Sequence, residues 1–123
     1  MPEDHRRRLG KLGEDLAAEH LARRGFTVLD RNFRTRWGEL DIVACDGTTI
    51  VFCEVKSRRG PSGRDPLESI RHGKRTQVRR MAGRWLVQRT DRPRACELRF
   101  DAIGVMLDGA GRLIRLEHLE GAF

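Results

Sequence analysis

The sequence predicts an α/β fold with a mixed central sheet flanked by helices. Three observations predict it. Helix-period stretches stand at residues 9–24 and 68–89, on either side of strand-like runs. Two of those runs are joined at Asp46-Gly47, a strong hairpin signal. The resulting order, helix, three strands, helix, then one or two strands, runs through 123 residues with no linker or internal repeat. One domain of ordinary size is therefore expected over residues 9–123, preceded by a flexible basic arm at residues 1–8.

Each element has a local reason. Leu9 to Arg24 reads as a helix, and Gly25 is placed to stop it. Phe26-Thr27-Val28-Leu29 is a short strand. Gly38–Ala44 and Thr48–Lys56 are the hairpin strands. Arg58, Arg59, Gly60, Pro61, Ser62, Gly63 and Pro66 mark a flexible basic loop. In the second helix Val78, Met81, Ala82, Trp85 and Leu86 fall on one apolar stripe. Leu98–Met106 and Leu113–Leu119 complete the strands.

Composition narrows the classes. No apolar run is long enough for a membrane-spanning helix, and the charged N-terminus is unlike a secretory signal, so a cytoplasmic protein is expected. Cys45, Cys53 and Cys96 are odd in number and widely spaced, which argues against a disulfide framework. Cys53, inside an apolar run, reads as a small buried hydrophobe. His5, His20, His72 and His118 are scattered without zinc-ligand spacing.

The net charge is +7 and is unevenly spread. Residues 57–94 carry twelve basic and three acidic residues, whereas residues 37–56 carry one basic and four acidic ones. A basic surface beside an acidic patch suits an enzyme that holds phosphates with one and a metal ion with the other. The same charge also reads as a solvated, Arg-rich surface. Tyr is absent, and Trp37, Trp85 and five Phe are the whole aromatic supply, so base stacking is not the expected mode.

The acidic patch has a pattern. Glu39 and Asp41 share a strand face, as do Glu54 and Lys56. An Asp46-Gly47 loop sets Glu39 opposite Glu54, and a Gly47-Thr48 loop sets Asp41 opposite Glu54; either register puts all four side chains on one face, whereas a register one residue off, without a bulge, would split them. Three crowded carboxylates need a counter-ion beyond one lysine, and Mg²⁺ or Mn²⁺ suits oxygen ligands. A solvated hairpin face with cross-strand charge pairs is the alternative. In the first helix, Glu14 points away from the polar stripe of Asp15, Glu19 and Arg23, toward the side of Ala17, Ala18 and Leu21. A carboxylate there needs a partner on the sheet, or else serves the helix dipole.

At Asp41 and Glu54-Val55-Lys56 the sequence resembles PD-(D/E)XK nucleases. Further stretches are Gly13-Glu14, Arg31-Asn32, Gly38-Glu39-Leu40-Asp41, Val51-Phe52-Cys53, Lys74, Arg99-Phe100-Asp101 and Ala122-Phe123. As an ordered set they resemble the YraN-like family of small endonuclease-like proteins, similar to archaeal Holliday junction resolvases. The resemblance implies a restriction-endonuclease-like core (αβββαβ). It implies Asp41, Glu54 and the main-chain carbonyl of Val55 as metal ligands, Lys56 as the residue that orients water and neutralises phosphate charge, and Glu14 as a helix carboxylate of the catalytic set. Leu40 stands where the usual motif has Pro. Glu39 and Gln77 are two further candidates without assigned roles.

The expected activity is a Mg²⁺- or Mn²⁺-dependent DNA endonuclease, acting on branched or otherwise structured DNA. Arg58, Arg59, Arg71, Lys74 and Arg75 are the expected backbone-gripping residues. A homodimer is expected by analogy with resolvases. Two other readings stay open: a non-catalytic nucleic-acid-binding module, and an interaction or assembly factor, each on a nuclease scaffold.

Overall fold

A computed structural model describes residues 2–60, 66–69, 72–95 and 97–123. Helix α1 spans Pro2–Arg23, strands β1, β2 and β3 span Thr27–Thr35, Gly38–Cys45 and Thr49–Arg59, helix α2 spans His72–Gln88, and strands β4 and β5 span Glu97–Leu107 and Leu113–Leu119. A short 3-10 turn, Pro66–Ser69, precedes α2. The strands form one sheet in the order β1-β2-β3-β4-β5. The central β3–β4 pair is parallel and the other pairs are antiparallel.

The central strands read as near-continuous apolar runs because both faces are covered. On one face Ala17 and Leu21 of α1 pack against Ile42, Ala44, Val51, Cys53, Ile103 and Val105. On the other, Val78, Met81, Ala82 and Trp85 of α2 pack against Val43, Phe52 and Phe100. The apolar stripe expected in α2 is thus the seam of that second layer, with Leu86 at its margin. This αβββαβ order around a mixed sheet flanked by helices is the restriction-endonuclease-like core.

Several boundaries differ from the sequence expectation: the second helix begins at His72, with Glu68 and Ser69 in the 3-10 turn. Helix α1 begins at Pro2 and takes in residues 2–8, where an arm is expected; proline is pre-organised for the first helical position. Strand β1 continues to Thr35 although Asp30, Arg31, Asn32 and Arg34 break its apolar pattern. It is an edge strand, so polar side chains cost it little. Arg58 and Arg59, expected in the basic loop, end β3, and residues 61–65 of that loop lie outside the described residues.

The hairpin takes the second of the two open registers. Cys45 pairs with Ile50, leaving Gly47-Thr48 at the tip, and the pairing runs to Ile42 opposite Cys53, one residue short of Asp41 and Glu54. The Asp46 carboxylate accepts the N–H groups of Thr48 (2.9 Å) and Thr49 (2.8 Å), and Gly47 takes a φ of 101°. An Asp side chain closing its own turn, followed by a glycine free to go left-handed, is why this dipeptide marks the bend.

Candidate metal centre and nucleic-acid interface

Glu14 reaches the sheet because α1 lies close to it. Gly13 is buried, and a Cβ there would overlap the Ser57 hydroxyl and lie 3.0 Å from Ser57 Cβ. The next residue, Glu14, therefore projects at the sheet margin with its side chain 18% exposed.

Strand β2 meets it by an irregularity. Residues two apart in a strand should share a face. Leu40, however, packs on the α2 side with Val43, whereas Ile42 packs on the α1 side. Asn32 lies between the paired rows Arg31↔Ile42 and Phe33↔Leu40, and its φ is 56°. Asn is among the few side chains that tolerate this left-handed conformation. The alternation is broken at this row, and Glu39 and Asp41 come to the side of Glu14. One carboxylate oxygen from each of Glu14, Glu39 and Asp41 lies within 4.8 Å of the others.

Asp41 also takes over a ladder position. The β2–β3 pairing runs from Cys45↔Ile50 to Ile42↔Cys53. Beyond it, Asp41 Oδ2 accepts the Val55 N–H at 2.7 Å. Burial and the neighbouring Glu54 push the Asp41 carboxyl up to about 8, against the pull of the Val55 hydrogen bond. Burial also raises the Glu14 carboxyl above its usual range, with Arg31 and an Asn32 hydrogen bond opposing. Glu14 Oε1 is buried with no hydrogen-bond partner, and Arg31 Nη2 stands 3.9 Å from it. Half-buried, mutually repelling carboxylates with an orphaned oxygen are a donor set that fits a hard divalent cation.

Glu54 is 5% exposed, and Lys56 Nζ lies 3.6 Å from its Oε1. On β3, Glu54 and Lys56 flank Val55, whose side chain packs on the α1 side. Glu39 and Asp41 join Glu14, while Glu54 acts on Asp41 from across the strand pair. Val55 supplies its N–H to Asp41 while its strand runs beside β4, opposite Ile103.

The expected backbone-gripping residues are spread out. Arg58 donates to the carbonyl of Ser57 and Arg59 to that of Gly109, both from exposed positions. Arg75 is exposed on α2. Arg71 and the side chain of Lys74 lie outside the described residues. Gln77 Nε2 donates to the carbonyl of Trp37, anchoring the β1–β2 turn to α2.

Sequence reasoning assigned no role to Arg31, Asn32 or Arg34. With Arg7 and Lys11 of α1, Arg31 and Arg34 line a cleft of about 730 Å³ whose acidic wall is Glu14 and Glu39. Arg31 carried no sequence signal, because the strand that holds it reads as a loop; it donates to Asp15 at 2.8 Å. Among the described residues no helix is long and apolar enough to cross a membrane.

Residues 13–105 match the model of the Uncharacterised protein family UPF0102. A UPF0102 protein of Frankia casuarinae is 47% identical over 116 residues, covering 94% of this chain and 95% of that one. One from Pelotomaculum thermopropionicum is 42% identical over 98% of both chains, and one from Rhodococcus opacus is 40% identical over 97% of this chain and 98% of its own. With the family model and the full-length relatives in agreement, the chain belongs to the UPF0102 (YraN-like) family.

Proposed function

We propose that this protein is a divalent-metal-dependent endodeoxyribonuclease of the PD-(D/E)XK kind. The observation that carries this reading is the junction of Glu14, Glu39 and Asp41, whose ligand atoms converge within 4.8 Å at the wall of a basic cleft. Asp41 and Glu14, with Glu39 or Glu54 and the Val55 carbonyl, would hold Mg²⁺ or Mn²⁺. When bound, such an ion supplies Lewis-acid polarisation of a phosphate and a water of lowered pKa.

The chain's own groups do the rest. The Val55 N–H fixes the Asp41 carboxylate. Lys56, held beside Glu54, neutralises charge that develops on the phosphate oxygens. Arg7, Lys11, Arg31 and Arg34 place the phosphodiester backbone along the cleft. A binding module without chemistry would gain nothing from burying carboxylates beside a phosphate track, because they repel it.

Branched, flapped, single-stranded and duplex DNA, each incubated with Mg²⁺, Mn²⁺ or EDTA, test the reading. Cleavage should require the metal and vanish in Asp41→Asn and Glu54→Gln, while DNA binding persists or tightens. Binding without cleavage under every condition would leave the non-catalytic module, and full activity in either variant would overturn the site.

A further inference from the structure

The cleft beside the carboxylates does not end at Arg34. The same side chain lines a second cavity of about 480 Å³, on the far side of the β1–β2 turn, with Thr35, Arg36, Trp37, Arg84 and Gln88. Arg34 Nε is 3.6 Å from Glu39 Oε2. One arginine therefore joins the candidate metal centre to a neighbouring pocket that holds three arginines, an indole and no carboxylate. Among the described residues, Arg36 and Arg84 form no ion pair.

Trp37 is built into place there. The Gln77 amide donates to its carbonyl, and its own N–H donates to the Thr35 hydroxyl at 3.1 Å. Gly38 permits the turn with a φ of 135°, and a Cβ there would press on Gln77 at 2.9 Å. The side chain is half-buried and packs against the α2-side core. The Arg36 guanidinium lies 4.7 Å from the ring centroid and that of Arg80 at 6.0 Å. The other tryptophan is different in kind: Trp85 is fully buried, and its indole N–H donates to Asp30. A positioned indole among arginines, two of which, Arg36 and Arg84, form no ion pair among the described residues, offers what an unpaired base needs, a stacking platform with phosphate contacts beside it. A paired, stacked base in a duplex has no free face to present to it.

We propose that this pocket binds an unpaired nucleotide, its base stacked on Trp37 and Arg36 and its flanking phosphates on Arg34 and Arg84. The inference rests on the nuclease reading and deepens it. The strand that enters the cleft continues past Arg34 as a single strand, so the substrate carries an unpaired segment next to the bond to be cut.

Intrinsic fluorescence in EDTA separates the cases, because nothing is cleaved and Trp85 contributes a constant background. An oligothymidylate of roughly 12 nucleotides should quench the emission of the wild type, and Trp37→Phe should abolish the quench. Trp37→Ala should weaken oligothymidylate binding by about 5- to 150-fold, the range for loss of one stacked base. Affinity for a duplex of the same length should change by less than about 2-fold. Arg84→Ala lies on an exposed face of α2 and leaves the indole in place. It should make the salt dependence of oligothymidylate binding shallower by about 0.7, a readout that survives even if Trp37→Ala folds poorly. Bound oligothymidylate without quenching, or equal losses on single strand and duplex, would overturn this pocket while leaving the nuclease reading intact. Failure to bind any DNA would overturn both.

Discussion

Asp41 is held by two forces that act oppositely on its proton. The Val55 N–H favours the carboxylate, whereas burial and Glu54 favour the acid and prevail, placing the group at about 8. In the unfolded chain the same group releases its proton near pH 4. Between about pH 4 and about pH 8 the metal-free folded state therefore holds the extra proton, and raising the pH favours unfolding. Melting in EDTA should show wild-type stability declining across this range. Asp41→Asn, whose amide oxygen still accepts from Val55, should give a much flatter curve and gain on the wild type as pH rises. Parallel curves would show that the carboxylate is not buried as described. Much of this residue's setting is legible in the sequence. Strand alternation pairs Asp41 with Glu39, and the phase of α1 turns Glu14 toward Ala17 and Leu21. What is not legible is the break at Asn32. A single left-handed residue leaves no periodic trace, and neither does the meeting of Glu39 and Asp41 with Glu14.

At the scale of elements, α2 divides its arginines between structure and solvent. Arg79 donates to the Phe123 carbonyl at 3.2 Å and lies 4.5 Å over the Phe100 ring. Arg89, one residue past the end of the helix, donates to the Leu29 carbonyl and pairs with Asp30 at 3.4 Å. Arg75 is exposed on the same helix. Arg79→Ala should lower stability by about 1 kcal/mol and leave the salt dependence of duplex binding unchanged. Arg75→Ala should do the reverse, with unchanged melting and a slope shallower by about 0.9. Equal effects from the two would refute this division. The sequence shows a basic helix but not which cations are engaged, because their partners sit on β1 and at the chain end, far away in sequence. Element order was readable from apolar periodicity. The length of β1 was not, since an edge strand with charged side chains looks like a loop.

At the scale of the whole molecule, the C-terminal segment is fastened to the sheet by Asp101, which is completely buried. Arg99 contacts it with two nitrogens at 2.9 Å, His118 Nε2 lies at 2.7 Å, and the Gly121 N–H donates at 3.0 Å. His118 Nδ1 in turn faces His20 Nε2 of α1 at 3.0 Å. Burial alone would raise the Asp101 carboxyl, but the bonds from His118, Arg99 and Gly121 outweigh it and hold it below the usual carboxylate range. That contribution is present at neutral pH and is lost as acid drops below about pH 4. Burial and His118 lower the pKa of His20, so protonating it also costs stability, beginning near pH 6.5. Asp101→Asn should destabilise by about 3 kcal/mol and blunt the acid unfolding transition. It should leave Mg²⁺ affinity unchanged, because Asp101 is outside the Glu14–Glu39–Asp41 group. A matched loss of metal affinity would tie the two regions together. Arg99 and Asp101 are recognisable in the sequence as a same-face pair on one strand. His118 joins them only through the β4–β5 register.

The missing side chain of Gly13 works as a depth gauge for the carboxylates. Helix α1 settles until its backbone nearly touches Ser57, and that distance fixes how far the Glu14 side chain extends into the group on β2. Gly13→Ala would improve helix propensity by about 1 kcal/mol and yet lift the helix off β3. The protein should then need a higher Mg²⁺ concentration for half-maximal thermal stabilisation, although every ligand is present. An unchanged metal requirement would mean that Ser57 rotates away and the helix stays down. Affinity for the ion is in this way set one residue before the first carboxylate, by a hydrogen atom where any other amino acid would have a carbon.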